Sequence, residues 1–132
     1  SIEALLQQAD FVSLHLPANQ TTVGLIDKSK LLMMKPSAYL INVARGGIVK
    51  EDDLAEILSQ GRIAGAALDV FTEEPPDPSN PLLKLDNVTL TPHNAALTRE
   101  CMDRMAVHAA QGIDEVLSGK TPTWPVNSPE QK

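Results

Sequence analysis

The chain has 132 residues, 42% of them hydrophobic but only 3% aromatic, and a formal net charge of −6. That length suits one domain with a single aliphatic core and excludes a disordered tail. The acidic balance, with no run of lysines or arginines, argues against nucleic acid or an anionic membrane as partner. No apolar stretch reaches the ~20 residues needed to cross a bilayer.

Ser1 reads as a helix N-cap, with Ile2, Leu5, Leu6 and Ala9 following at helical spacing. A chain that opens on a cap, with no initiator Met and no signal peptide, is expected to be a fragment of something longer. Residues 11–16 form a short apolar run closed by Pro17, which predicts a strand. Asp27 can cap a helix over 28–34, ended by Pro36, and residues 38–43 predict a second strand that stops at Arg45, Gly46 and Gly47. A helix over 51–60 follows, with Leu54, Ile57 and Leu58 as its apolar stripe and Gly61 in the left-handed position after it. Lys50 at its cap cannot accept the orphan N–H groups, a loss of about 1 kcal/mol against Asp or Ser.

Residues 63–70 predict a third strand and 88–91 a short fourth, separated by a proline-rich acidic loop at 72–81. The last helix carries Met102, Met105, Ala106, Ala109, Ile113, Val116 and Leu117 on one face, for about five turns, until Gly119. Helices alternating with strands that are apolar on both faces predict an α/β fold, a parallel sheet covered on two sides. Cys101, alone of its kind, excludes an internal disulfide and suits a reducing, cytoplasmic compartment; within a helix it reads as a buried structural thiol.

In such sheets functional residues gather at the carboxyl ends of strands, here Pro17, Arg45, Asp69 and His93. Arg45, before two glycines, can grip a carboxylate with two parallel hydrogen bonds, or pair with the acidic loop at Glu73, Glu74 or Asp77. Asp69 is the one charge in an apolar strand, so it either serves a ligand or braces a cap or loop. Glu73 and Glu74 stand side by side before two prolines, and spacing does not choose between them. His93 follows the fourth strand, where a nearby carboxylate would fix its tautomer and make an acid–base pair. His15, inside the first strand, and His108, inside the last helix, read as structural. No metal-ligand spacing is present.

These residues resemble the D-isomer-specific 2-hydroxyacid dehydrogenase family, which includes phosphoglycerate dehydrogenases, hydroxypyruvate/glyoxylate reductases and D-lactate dehydrogenases. The resemblance rests on HLP at 15–17 with Thr22 and GLI at 24–26, MKP at 34–36, and LINVARGG at 40–47. It continues in GAALDVF at 65–71 with Glu74 and Pro75, and in NVTLTPH at 87–93 with Thr98. It implies a partial Rossmann-type doubly wound sheet. Residues 1–119 would be the C-terminal portion of the NAD(P)-binding domain, and 120–132 a tail towards the substrate domain.

It also implies that Arg45 binds the substrate carboxylate, that His93 is the general acid in reduction, and that Glu74, rather than Glu73, orients His93. Asp69 would accept from the nicotinamide carboxamide. Leu16, Pro17, Thr22, Val43, Ala44 and Ala96, with Arg45 and His93 again, would complete the cofactor site. The implied cofactor is NAD, with NADP possible; the implied partners are a small 2-oxo or 2-hydroxy acid and a second copy in a homodimer. The family also contains C-terminal-binding-protein corepressors that sense dinucleotide, and they retain the same Arg, Glu and His.

Three departures stand out. Ser37 replaces the usual glycine, Ala95 and Ala96 stand where many members have a glycine, and no Gly-x-Gly-x-x-Gly occurs. Without that phosphate loop the chain alone is expected to be inactive. The first strand, deprived of a neighbour, is expected to be a sheet edge.

Overall fold

A computed structural model describes residues 1–126. The last six residues of the expected tail, 127–132, lie outside the described residues. The chain divides into two compact units, Ser1–Ala95 and Ala96–Lys132.

In the first unit, α1 (Ile2–Gln8) is followed by β1 (Phe11–Leu14), α2 (Lys28–Leu31), β2 (Tyr39–Asn42), α3 (Glu51–Ser59), β3 (Gly65–Leu68) and β4 (Val88–Leu90). Caps explain the helix starts. The Ser1 and Asp27 side chains accept from Ala4 N and Lys30 N, whereas Lys50 offers α3 no side-chain bond. Three acidic residues in the first turn of α3 compensate through the helix dipole. Gly61 follows α3 with φ +62°, the left-handed geometry that a Cβ disfavours. The helix expected over 28–34 is shorter, because Met33 and Met34 donate back three residues, tightening the last turn before Pro36.

All four strands are parallel, in the order β1-β2-β3-β4, so β1 is an edge as expected. Each is shorter than its apolar run, which continues past the sheet into a loop. Burial alternates along them. Val12, Leu14, Leu40, Asn42, Ala66 and Leu68 are buried, while Phe11, Ser13, Tyr39, Ile41, Ala67 and Thr89 are exposed or half-buried. The buried face packs on Leu6 of α1, Leu31 of α2, and Leu54, Ile57 and Leu58 of α3. Leu82, on a 3-10 turn at Pro81–Lys84, joins that core. Each fully buried Leu or Ile contributes roughly 1.5–3 kcal/mol.

The expectation of two covered faces is therefore corrected: no element of the first unit covers the face bearing Phe11 and Tyr39. Their rings stack at 5.6 Å, sheltering each other in part.

The second unit is built on α4 (Arg99–Leu117), capped by Thr98, whose Oγ1 accepts from Cys101 N at 3.2 Å. None of its residues is buried, and Met102, Met105, Ile113, Val116 and Leu117 of the expected apolar stripe are exposed. Cys101 is half-buried rather than buried, a correction that follows from the same lack of cover. Beyond Gly119 the chain doubles back. Thr123 donates to Glu115 through both N and Oγ1, and Trp124 packs on His108 with ring centroids 4.2 Å apart. Among the described residues no helix is long and apolar enough to cross a membrane, and no cluster of candidate metal ligands occurs.

Candidate active site

Parallel registration sets the site. Leu14, Asn42, Leu68 and Leu90 form the last row of the sheet, and every strand leaves it in the same direction. Residues 15–17, 43–45, 69–71 and 91–93 therefore line a single rim, the place where open α/β sheets bind ligands.

At the β3–β4 end of the rim, Asp69, Phe71, Glu74, Leu90, Thr91 and His93 line a cavity of about 390 Å³. His93 Nδ1 lies 2.7 Å from Glu74 Oε2. A carboxylate can only accept, so Nδ1 carries the hydrogen and Nε2 is left for chemistry. The other oxygen of Glu74 accepts from Phe71 N at 3.0 Å. The hydrogen bond to His93, and then the one from Phe71, hold the Glu74 carboxyl below its ordinary pKa. Glu73 makes no such contact, so the structure separates the two neighbours that spacing left equal.

Asp69 lies just past β3 and is 4% exposed. Its Oδ1 accepts from Thr91 Oγ1 at 2.5 Å and Asn94 N at 2.8 Å, and its Oδ2 accepts from Ala95 N at 2.9 Å. Burial pushes its pKa up, but these bonds and the neighbouring His93 outweigh burial, and the net displacement is downward. The carboxylate thus ties down the turn containing His93, whose φ of +52° no β-branched residue would readily adopt. Loop bracing and ligand contact, posed as alternatives in the sequence, are compatible here, since Oδ2 makes only one hydrogen bond.

At the β1–β2 end, His15, Leu16, Pro17, Ala18, Val43, Ala44 and Arg45 line a second cleft of about 460 Å³. Asn42, 1% exposed, braces the backbone of two lining residues: its side chain donates to Arg45 O at 2.9 Å and accepts from Ala44 N at 3.1 Å. Arg45 is exposed, and its Nη1 donates to Ala44 O at 2.7 Å. Among the described residues it has no carboxylate within ion-pair distance, so the pairing with Glu73, Glu74 or Asp77 does not form. The clefts meet through the backbone. A Cβ on Gly46 would lie 1.9 Å from Phe71 O and 2.4 Å from Thr72 N, so the loop of Arg45 is pressed against the segment leading to Glu74.

Leu16, Pro17, Val43, Ala44 and Arg45 all line the second cleft. Thr22 stands back from it, bracing the loop by donating to Pro17 O at 2.7 Å and accepting from Asn19 N at 2.8 Å. Ala96 belongs to the second unit. His15 was placed inside a strand by the sequence. Since β1 ends at Leu14, it sits instead on the rim, exposed, with Nε2 2.7 Å from Ser13 Oγ. Sequence reasoning also missed Asn42 and Glu51. A polar residue amid the apolar run at 38–43 was the available signal for Asn42; nothing local marks Glu51.

The family described as D-isomer specific 2-hydroxyacid dehydrogenase, NAD binding domain, matches residues 1–95. A glyoxylate reductase of Thermofilum pendens is 48% identical over 126 residues, covering 96% of this chain and 37% of that protein. A D-3-phosphoglycerate dehydrogenase of Archaeoglobus fulgidus is 44% identical over 127 residues, covering 96% and 24%. The chain thus spans well under half the length of these relatives. Among solved structures, the NAD-complexed D-isomer specific 2-hydroxyacid dehydrogenase of Lactobacillus delbrueckii ssp. bulgaricus superposes with TM-score 0.85 at 34% identity, covering 93% of this chain and 42% of that one. A D-lactate dehydrogenase from Sporolactobacillus sp. gives 0.87 at 35% identity, covering 97% and 42%. With its motifs, its parallel sheet and its family match in agreement, the chain belongs to the D-isomer-specific 2-hydroxyacid dehydrogenases, as part of their NAD-binding domain.

Proposed function

We propose that this chain carries the proton-transfer and carboxylate-binding groups of an NAD(P)-linked oxidoreductase acting on a D-2-hydroxy acid or its 2-oxo form. The carrying observation is the His93–Glu74 hydrogen bond on the same rim as an Arg45 that, among the described residues, no carboxylate neutralises. In reduction, Arg45 binds the substrate carboxylate in a bidentate grip and polarises the adjacent 2-oxo oxygen. His93 delivers the proton on Nε2 to that oxygen while Glu74 keeps Nδ1 hydrogen-bonded and stabilises the ring through both protonation states. In oxidation the same Nε2 takes the hydroxyl proton back.

A bound nicotinamide would supply the hydride to C2 of the oxo acid, or accept it from C2 of the hydroxy acid. The residues present fit its reactive end. Leu16, Pro17, Val43 and Ala44 give the second cleft an apolar, backbone-lined wall, and Asp69 Oδ2 can accept from a carboxamide. The sequence has no glycine-rich phosphate loop. We therefore expect the chain alone to show no turnover with NADH and hydroxypyruvate, and robust activity would refute that. The free thiol of Cys101 fits a reducing cytoplasm, and homodimerisation of the full-length protein is checked by sedimentation.

The test is His93→Ala in the full-length protein that contains these residues. With glyoxylate or hydroxypyruvate and NADH, kcat is expected to fall by roughly 10²–10⁴. Wild-type turnover in that variant would remove His93 from the mechanism and the proposal with it.

A further inference from the structure

Glu51 opens α3, where an acidic residue ordinarily only offsets the helix dipole. Here both its oxygens are engaged far along the chain. Oε1 accepts from Thr72 N at 2.5 Å, and Oε2 accepts from Asn80 Nδ2 at 2.8 Å. Thr72 and Asn80 are the two ends of the loop that carries Glu74. Asn80 is itself fixed, because its Oδ1 caps the next turn by accepting from Leu82 N at 3.0 Å, and Leu82 is fully buried. Behind Glu51, α3 is anchored by buried Leu54, Ala55, Ile57 and Leu58. The peptide N–H of Thr72 is thus held between Glu51 and the bare Cα of Gly46.

We propose that Glu51 is a positioning residue for the Glu74–His93 pair, clamping both ends of the loop at residues 72–80 so that Glu74 meets the imidazole. The inference rests on the reading of that pair as the acid–base apparatus. Glu51 touches neither substrate nor cofactor in this scheme. It acts by fixing Thr72, next to the Phe71 N–H that Glu74 itself accepts, and so sets where the carboxylate stands. A loop of nine residues pinned at both ends has little freedom, and a carboxylate displaced by about 1 Å can cost on the order of 10²-fold in rate.

The clamp has a polarity that a paired substitution can reverse. In Glu51→Gln, the amide oxygen can still accept from Thr72 N, but its NH2 faces the NH2 of Asn80, and two donors cannot bond. Asn80→Asp added to it restores the match: one Asp oxygen accepts from the new amide, the other still caps Leu82, and local charge is unchanged.

The experiment uses the full-length protein with NADH and glyoxylate, comparing H93A, E51Q and the E51Q/N80D double variant, with NMR of the His93 imidazole Nδ1–H alongside. E51Q is expected to lower kcat on the order of 10- to 100-fold. Its KM for NADH should stay unchanged and its Nδ1–H resonance should be lost or broadened; the double variant should recover both rate and resonance. Full activity in H93A would defeat the acid–base reading itself. Loss in H93A with wild-type kcat in E51Q, or a double variant no better than E51Q whether through misfolding or misplacement, would overturn the role of Glu51 alone.

Discussion

The two ends of the rim are built on opposite principles. Around His93, nearly every polar atom already has a protein partner: Glu74 is held by Phe71 and His93, and Asp69 by Thr91, Asn94 and Ala95. Around Arg45 the backbone is equally well braced, by Asn42, but among the described residues the guanidinium makes only the bond to Ala44 O. Preset hydrogen bonds suit a group that must move a proton without reorganising. A cation left without a counter-charge suits a group whose anion arrives from solution. On the proposed function, the difference separates the part of the site that this chain completes from the part a ligand would complete.

The sharpest way to break that contrast is to remove the free cation in the full-length protein. Arg45→Ala forfeits two charge-assisted hydrogen bonds at roughly 1.5–3 kcal/mol each. A fall in kcat/KM for the oxo acid of about 10²–10⁴ is expected, with KM for NADH preserved. Steady-state kinetics decide it, and a loss confined to cofactor affinity contradicts the assignment. Gly46→Ala strikes the contact between the two ends. Its Cβ has no room against Phe71 O, so the loops must part, at a cost of about 1–3 kcal/mol or more in urea denaturation, together with lost activity.

Asn42→Ala loosens only the Arg45 end. It leaves Ala44 N and Arg45 O unpaired and should cost roughly 1–3 kcal/mol, raising KM for the oxo acid while the Nδ1–H resonance of His93 stays in place. The smallest effect is that of acid. Glu74 and Asp69 both have folded pKa values below their ordinary 4.5 and 3.8, so their stabilisation is complete above those values and declines as pH falls through the folded ones. Among the described residues the Arg45 end has no such carboxylate. On acidification the Asn94 and Ala95 amides should therefore gain hydrogen exchange before that of Ala44, and the reverse order would undo the comparison.

Much of this rim could be read without coordinates. The strand ends placed Arg45, Asp69 and His93 together because parallel strands all run one way, and the motif at 65–75 selected Glu74 over Glu73. What escaped was whatever depends on a distant partner. Glu51 looks like any acidic residue in a first helical turn until Thr72 and Asn80 are folded onto it. His15 was misplaced because an apolar run does not reveal where sheet pairing stops, and β1 stops one residue before it. The two-sided cover was over-read for a related reason. Ile41 and Ala67 are apolar enough to continue the run, yet they stand on the face that the first unit leaves open. Hydropathy reports what a residue tolerates, while burial depends on what is packed against it.

Gly46 and Phe71 touch main chain to main chain, and such a joint contains no rotamer that could swing aside and absorb a displacement. If Arg45 binds the anion proposed for it, a pull on its loop would bear on the strand exit that leads to Glu74. On the proposed function, substrate capture and proton delivery would be geared together by a single missing methyl group.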